Sequence, residues 1–100
     1  MKIPKSIRIA GHDVRVLVVK KFKEHYKGES YANKNLVRIA RESHGQPFAK
    51  DQISSTLLHE IIHQIDDKYD IGLSEKKLRK LETGLFQVLR DNDLDFRKRG

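Results

Sequence analysis

The spacing of apolar residues changes once along this 100-residue chain, at Gly45 and Pro47. Before that point Ile7-Arg8-Ile9 and Val14-Arg15-Val16-Leu17-Val18 alternate apolar with polar or are β-branched, the pattern of strands. After it Ile53, Leu57, Ile61 and Ile65 recur every four residues, with Leu58 and Ile62 beside them. That spacing lays a wide apolar stripe along a helix. Strands first and helices after predict an α+β fold, an N-terminal antiparallel or mixed sheet followed by two packed helices. The length allows one domain, covering 1–100.

Residues 3–41 read as the β-rich part. Residues 3–20 predict a hairpin, with turn chemistry at Gly11-His12-Asp13. Val16 to Val19 is continuously apolar, which places that strand in the middle of a sheet. Residues 20–30 are polar, with Gly28 as a breaker, and form a connection. Ser30 to Asn33 predicts a short strand, Asn33-Lys34-Asn35 a turn, and Leu36 to Arg41 a strand near an edge. The first helix is expected over about 51–68, with Asp51 at its N-cap or in its first turn. Gly72 closes the next loop. Ser74 is a good N-cap for a second helix, over about 74–92, whose apolar face is Leu78, Leu81, Leu85, Val88 and Leu89.

Cysteine is absent. This excludes a disulfide framework, a Cys-ligated zinc finger and a thiol nucleophile, and leaves His, Asp and Glu as metal ligands. The apolar runs fall far short of the roughly 20 residues that span a bilayer. The N-terminal residues lack the apolar core of a signal peptide. These features predict a soluble, cytoplasmic protein without a membrane partner. Lys and Arg number 21 against 14 Asp and Glu, a net charge of +7. Such a balance permits a nucleic acid or an acidic protein as partner. The cations are scattered, however, in Lys20-Lys21-Phe22-Lys23, Lys76-Lys77 with Arg79-Lys80, and Arg97-Lys98-Arg99. Solvated faces explain them better than a nucleic-acid interface does.

The chemistry lies in His59-Glu60-Ile61-Ile62-His63, inside the first predicted helix. Positions four apart share a helix face, so both imidazoles can reach one zinc ion at about 2.0–2.1 Å. Glu60, next to the first histidine, can hydrogen-bond a water on that ion without ligating it. This is the His-Glu-x-x-His arrangement of zinc peptidases, with the glutamate as general base. Zinc lowers the pKa of its water, and the carboxylate accepts the proton and passes it to the leaving amine.

A catalytic zinc usually has three protein ligands. A short connection, about Lys68 to Leu73, makes the two helices antiparallel. Glu82 then lies opposite His59 and His63, and Glu75 in the first turn reaches the same region if the helices cross obliquely. Both acids share a face with Leu78 and Leu85, so helical phase does not choose between them. Asp66 and Asp67 follow His63 at three and four residues and suit hydrogen bonding to a ligating imidazole better than ligation. His44, Tyr31 and Tyr69 could serve as hydrogen-bond donors to a developing oxyanion.

The stretch Thr56-Leu57-Leu58-His59-Glu60-Ile61-Ile62-His63-Gln64-Ile65-Asp66 resembles the active helix of small phage and bacterial zincin-like proteins, related in turn to the ImmA/IrrE-type metallopeptidases. The run Gly72-Leu73-Ser74-Glu75, then Leu78, Leu81, Gly84-Leu85 and Leu89-Arg90-Asp91-Asn92, looks like their second helix. The resemblance covers roughly residues 36–92. In the ImmA/IrrE-type proteins a glutamate opens a helix with the pattern E-x-x-A-x-x-F-A-x-x-L-L. Glu75, Leu78, Leu81, Leu85 and Phe86 match that spacing, while Leu78 replaces the small residue and Glu82 stands where the second alanine would be.

The resemblance implies a minimal zincin-like metallopeptidase. His59, His63 and Glu75 would hold Zn2+, Glu60 would be the base, and a protein or peptide would be the substrate. It also implies that an edge strand of the sheet lies along the cleft and pairs with an extended substrate, with Leu36 to Arg41 and Ser30 to Asn33 as the two candidates. The alternative is a catalytically silent zinc module that binds nucleic acid or an acidic protein through its basic surface.

Overall fold

The computed structural model describes residues 3–94; the basic triplet Arg97-Lys98-Arg99 lies outside them. Six strands precede two helices: β1 (Ser6–Ile9), β2 (His12–Val19), β3 (Gly28–Tyr31), β4 (Leu36–Ala40), β5 (Glu42–Ser43), β6 (Gln46–Pro47), α1 (Lys50–Tyr69) and α2 (Glu75–Asp91). The fold is α+β, a mixed sheet followed by two helices. Its order is β1-β2-β4-β3, with β1–β2 and β3–β4 antiparallel and β2–β4 parallel. No helix among the described residues is long and apolar enough to cross a membrane.

The sheet departs from expectation in its hairpin turn, in the place of β4 and in the start of β3. The β1–β2 turn is Ala10-Gly11, both at positive φ (51° and 80°), and His12 and Asp13 already belong to β2. A two-residue hairpin turn with both central residues left-handed matches the twist of the strands it joins. Leu36 to Ala40 lies next to an edge but is not itself the edge strand. It lies between β2 and β3, which is why Val37 and Ile39 are buried. The edge is β3, which begins at Gly28, two residues before the strand expected at Ser30. Its neighbour Ala32–Lys34 forms a 3-10 turn closed by Asn35 in the left-handed region (φ 49°). β5 and β6, which the sequence did not suggest, make a ribbon around His44-Gly45.

Helix α1 starts at Lys50, with Ala49 at its N-cap and Asp51 in its first turn, one of the two places expected for it. Asp51 also makes an ion pair with Arg90, near the end of α2, as an antiparallel helix pair allows. α1 is sandwiched between the sheet and α2. Ile53, Leu57, Ile61 and Ile65 face Ile9, Val14, Val16, Val37 and Ile39, and Leu57 and Ile39 are fully buried. About 100° further round the helix, Leu58 and Ile62 meet Leu78, with Phe86 and Leu89 beside them. α2 is capped as its sequence predicts, with the Ser74 hydroxyl accepting from the Lys77 N–H at 3.2 Å. Only part of its expected apolar face is covered. Leu78 is buried and Leu89 half-buried, while Leu81, Leu85 and Val88 remain exposed because α1 contacts one side of the stripe alone.

That asymmetry has a measurable consequence. Leu78→Ala should lower the unfolding free energy by about 2–4 kcal/mol through transfer and cavity terms, whereas Leu81→Ala should cost under about 1 kcal/mol. Urea unfolding followed by circular dichroism measures both. Equal losses would show that α2 docks through a different face.

Candidate metal centre

The third side of α1 carries His59, Glu60 and His63, in the wedge between β3 and α2. The Nε2 atoms of His59 and His63 are 3.2 Å apart. One Glu75 oxygen lies 3.2 Å from His59 Nε2 and the other 3.4 Å from His63 Nε2. Taking one donor atom from each residue, all three fall within 4.8 Å of one another. Four ligands at about 2.0–2.1 Å from a tetrahedral zinc stand about 3.3–3.4 Å apart. The spacings seen here are close to that edge length. Imidazole lone pairs and a carboxylate that converge in this way repel one another unless a proton or a cation sits among them. Two imidazoles and a carboxylate are a donor set that suits zinc.

Glu82 is placed differently from Glu75. Its Oε1 lies 2.6 Å from His59 Nδ1, the ring nitrogen turned away from Glu75. Its Oε2 accepts a hydrogen bond from the Ser55 hydroxyl at 2.5 Å. An Nδ1–H donating to Glu82 fixes the His59 tautomer and leaves Nε2 as a lone-pair donor, the usual arrangement behind a ligating histidine. Of the two acids that the sequence could not separate, Glu75 is in the cluster and Glu82 orients one of its imidazoles. Asp66 has another task than the one expected of it. Its Oδ1 accepts from the N–H groups of Gly72 and Leu73, both at 2.8 Å, and so ties the connection between the helices. Asp67 is exposed at the rim of the cleft.

Glu60 and Thr56 are both buried, Glu60 to 5% exposure, where β3 passes directly over them. Gly28 makes that approach possible. A Cβ there would stand 2.8 Å from both Glu60 Oε2 and Thr56 Cγ2. Polar contacts fasten the β3–β4 segment to α1. The Gln64 amide donates to Ser30 Oγ at 3.0 Å and to the Leu36 carbonyl at 3.1 Å. The Lys68 ammonium donates to the Ala32 carbonyl and to Asn35 Oδ1. Burial raises the Glu60 pKa from 4.5 to about 7. The His59 charge opposes that rise, and Glu75, Glu29 and Glu82 add to it.

The three suggested oxyanion donors lie in different places. Tyr31 borders the cleft, where its hydroxyl donates to Glu29 Oε2 at 2.6 Å. His44 stacks on His25 with ring centroids 3.8 Å apart and lines neither cleft cavity. Tyr69, at the end of α1, is exposed. Tyr26, which borders the cleft on both sides of Glu60, carried no signal in the sequence beyond its ring. Comparison with protein-family models, curated proteins and solved structures finds no match for the chain.

The buried acid gives the metal-free protein a pH-dependent stability. A folded-state pKa raised above the unfolded one favours the fold below about pH 4.5, and that advantage disappears as pH rises through about 7. The full shift corresponds to about 3 kcal/mol. Glu60→Gln should abolish most of this slope between pH 5 and pH 7 (roughly the transition interval). An unchanged slope in chemical unfolding of the variant would place the titrating group elsewhere.

Proposed function

We propose that this protein is a zinc-dependent metallopeptidase of zincin type that hydrolyses peptide bonds in a protein or peptide substrate inside the cell. The observation that carries the reading is the convergence of His59, His63 and Glu75 beside a buried acid, Glu60. His59, His63 and Glu75 would hold the ion, which supplies a Lewis acid and lowers the pKa of a water towards 7.

The chain's own residues account for the rest. Glu60 is buried beside the cluster, where its carboxylate can take a proton and release it to a leaving amine within one cycle. Gly28 lets β3 cross close to that carboxylate. Glu82, braced by Ser55, keeps His59 Nε2 aimed at the cluster. The Tyr31 hydroxyl and the backbone of β3 lie beside the cleft. As an edge strand, β3 offers an unpaired row of main-chain N–H and C=O groups to an extended peptide.

Two measurements test this reading. Zinc should bind the wild type at one ion per chain. At zinc concentrations about 100-fold above Kd it should add about 2.7 kcal/mol of stability. Glu75→Gln should remove tight binding, and Glu82→Gln should weaken it by about 10–100-fold. Glu60→Gln should keep the metal and lose at least about a hundredfold in cleavage of a denatured protein substrate. Equal cleavage by the wild type and this variant, or no stoichiometric zinc, would sink the proposal. Zinc binding without any cleavage, combined with strongly salt-dependent nucleic-acid binding, would favour the silent basic module instead.

A further inference from the structure

The cleft divides into two cavities on either side of Glu60, and only one of them has cationic side chains in its wall. Tyr26, Gly28, His59 and Glu60 border both. One cavity, of about 310 Å3, lies towards α2 and is lined by two cations, Lys27 and Arg79. Its other acid, Glu82, is already bonded to His59 and Ser55. The second cavity, of about 400 Å3, lies along β3 and is lined by Glu29 and Asp67, with no Lys or Arg in its wall. Each volume is at the lower end for ligand pockets and suits one or two side chains of an extended chain.

The charges differ in how far they are already satisfied. Arg79 Nε lies 3.3 Å from Glu75 Oε1, and Glu29 lies 3.4 Å from Arg38 while also accepting from Tyr31. Lys27 and Asp67 are exposed, and neither has an ion-pair partner among the described residues. They are the groups at each end of the cleft with charge to offer an incoming chain. Lys27 directly precedes Gly28, the residue that covers Glu60, so the change of sign is centred on the carboxylate itself.

We propose that the cleft selects extended peptides of mixed charge, with an acidic side chain on the Lys27–Arg79 side of the scissile bond and a basic one on the Glu29–Asp67 side. This rests on the hydrolase reading for the word scissile, but the charge preference itself is a property of binding. It also differs from what the net charge of +7 would produce, since a uniformly basic surface favours the most acidic peptide whatever its order.

The test uses zinc-loaded Glu60→Gln, so that peptides bind without turnover. Four fluorescent octapeptides differ only at the two residues flanking the central bond: acid then base, base then acid, acid twice, base twice. Anisotropy titrations at low ionic strength give their relative affinities. One mixed order should bind tightest, by up to about fivefold for each exposed ion pair gained. The advantage should shrink as salt is added. Adding Lys27→Glu, a change at an exposed position, should abolish the advantage of that order over the doubly basic peptide. Tightest binding of the doubly acidic peptide, a ranking unchanged by Lys27→Glu, or no binding of any peptide overturns the proposal. The hydrolase reading is judged separately, with the wild type and the same peptides. Binding in the expected order with no cleavage removes that reading and leaves the charge preference standing. Cleavage indifferent to charge does the reverse.

Discussion

The docking of α1 constrains everything else in this fold. Its sheet-facing residues, Ile53, Leu57, Ile61 and Ile65, lie on β2 and β4, and Leu57 closes completely over Ile39. Once that contact is made, helical geometry leaves no freedom. Leu58 and Ile62 point at one flank and can be buried only by a second helix. His59, Glu60 and His63 then fall in the remaining sector, between that helix and the β3 edge. The site is therefore a consequence of the core register rather than an addition to it. A change of phase in the apolar stripe would move the histidines as surely as it would move Leu57.

Within that sector Glu60 breaks the ordinary rule for acids. Burying a carboxylate is costly unless it is paired or protonated. Here the response is a pKa raised to about 7. The surrounding chain is arranged to keep the acid in that state. Gly28 gives up a side chain so that β3 can cross closely, and Gln64 and Lys68 fasten the neighbouring backbone with hydrogen bonds. Conflicts between a residue and its local environment collect at functional sites, where a stable fold compensates for them elsewhere. The Glu60 environment has this form, a carboxylate buried beside two histidines and a second acid.

Much of this was legible in the sequence because periodicity and caps are local signals. The four-residue repeat from Ile53 to Ile65 marked α1, and Ser74 marked the start of α2. The His59–His63 spacing put two imidazoles on one face. What was not legible depends on packing between distant segments. Leu36 to Ala40 looks like an edge strand by its mixed pattern, but pairing on both sides makes it internal. Gly28 reads as a breaker, and only the nearness of Glu60 shows why a side chain is excluded there. Glu75 and Glu82 share a helix face, so their different roles depend on how obliquely α2 crosses α1, which the sequence of α2 alone does not state. Asp66 looked like a partner for an imidazole, yet the nearest unpaired donors are the N–H groups of the turn that follows.

The exposed stripe on α2 gives the metal question a structural side. Hydrophobic contact fixes this helix chiefly through Leu78, Phe86 and Leu89, with Leu81, Leu85 and Val88 left in solvent. The other ties to α1 are polar: Arg90 with Asp51, Glu82 with His59 and Ser55, and Glu75 with both histidines. Most of these polar ties converge on the candidate ligands. If the ion binds as proposed, its ligands come from both helices, and its binding energy is also docking energy for α2. The same contact would then align the base, complete the ligand set and hold the last helix on the domain. In a chain with no cysteine and one small core, that coupling gives a physical reason for the second helix to carry an acid in its first turn and another about two turns later.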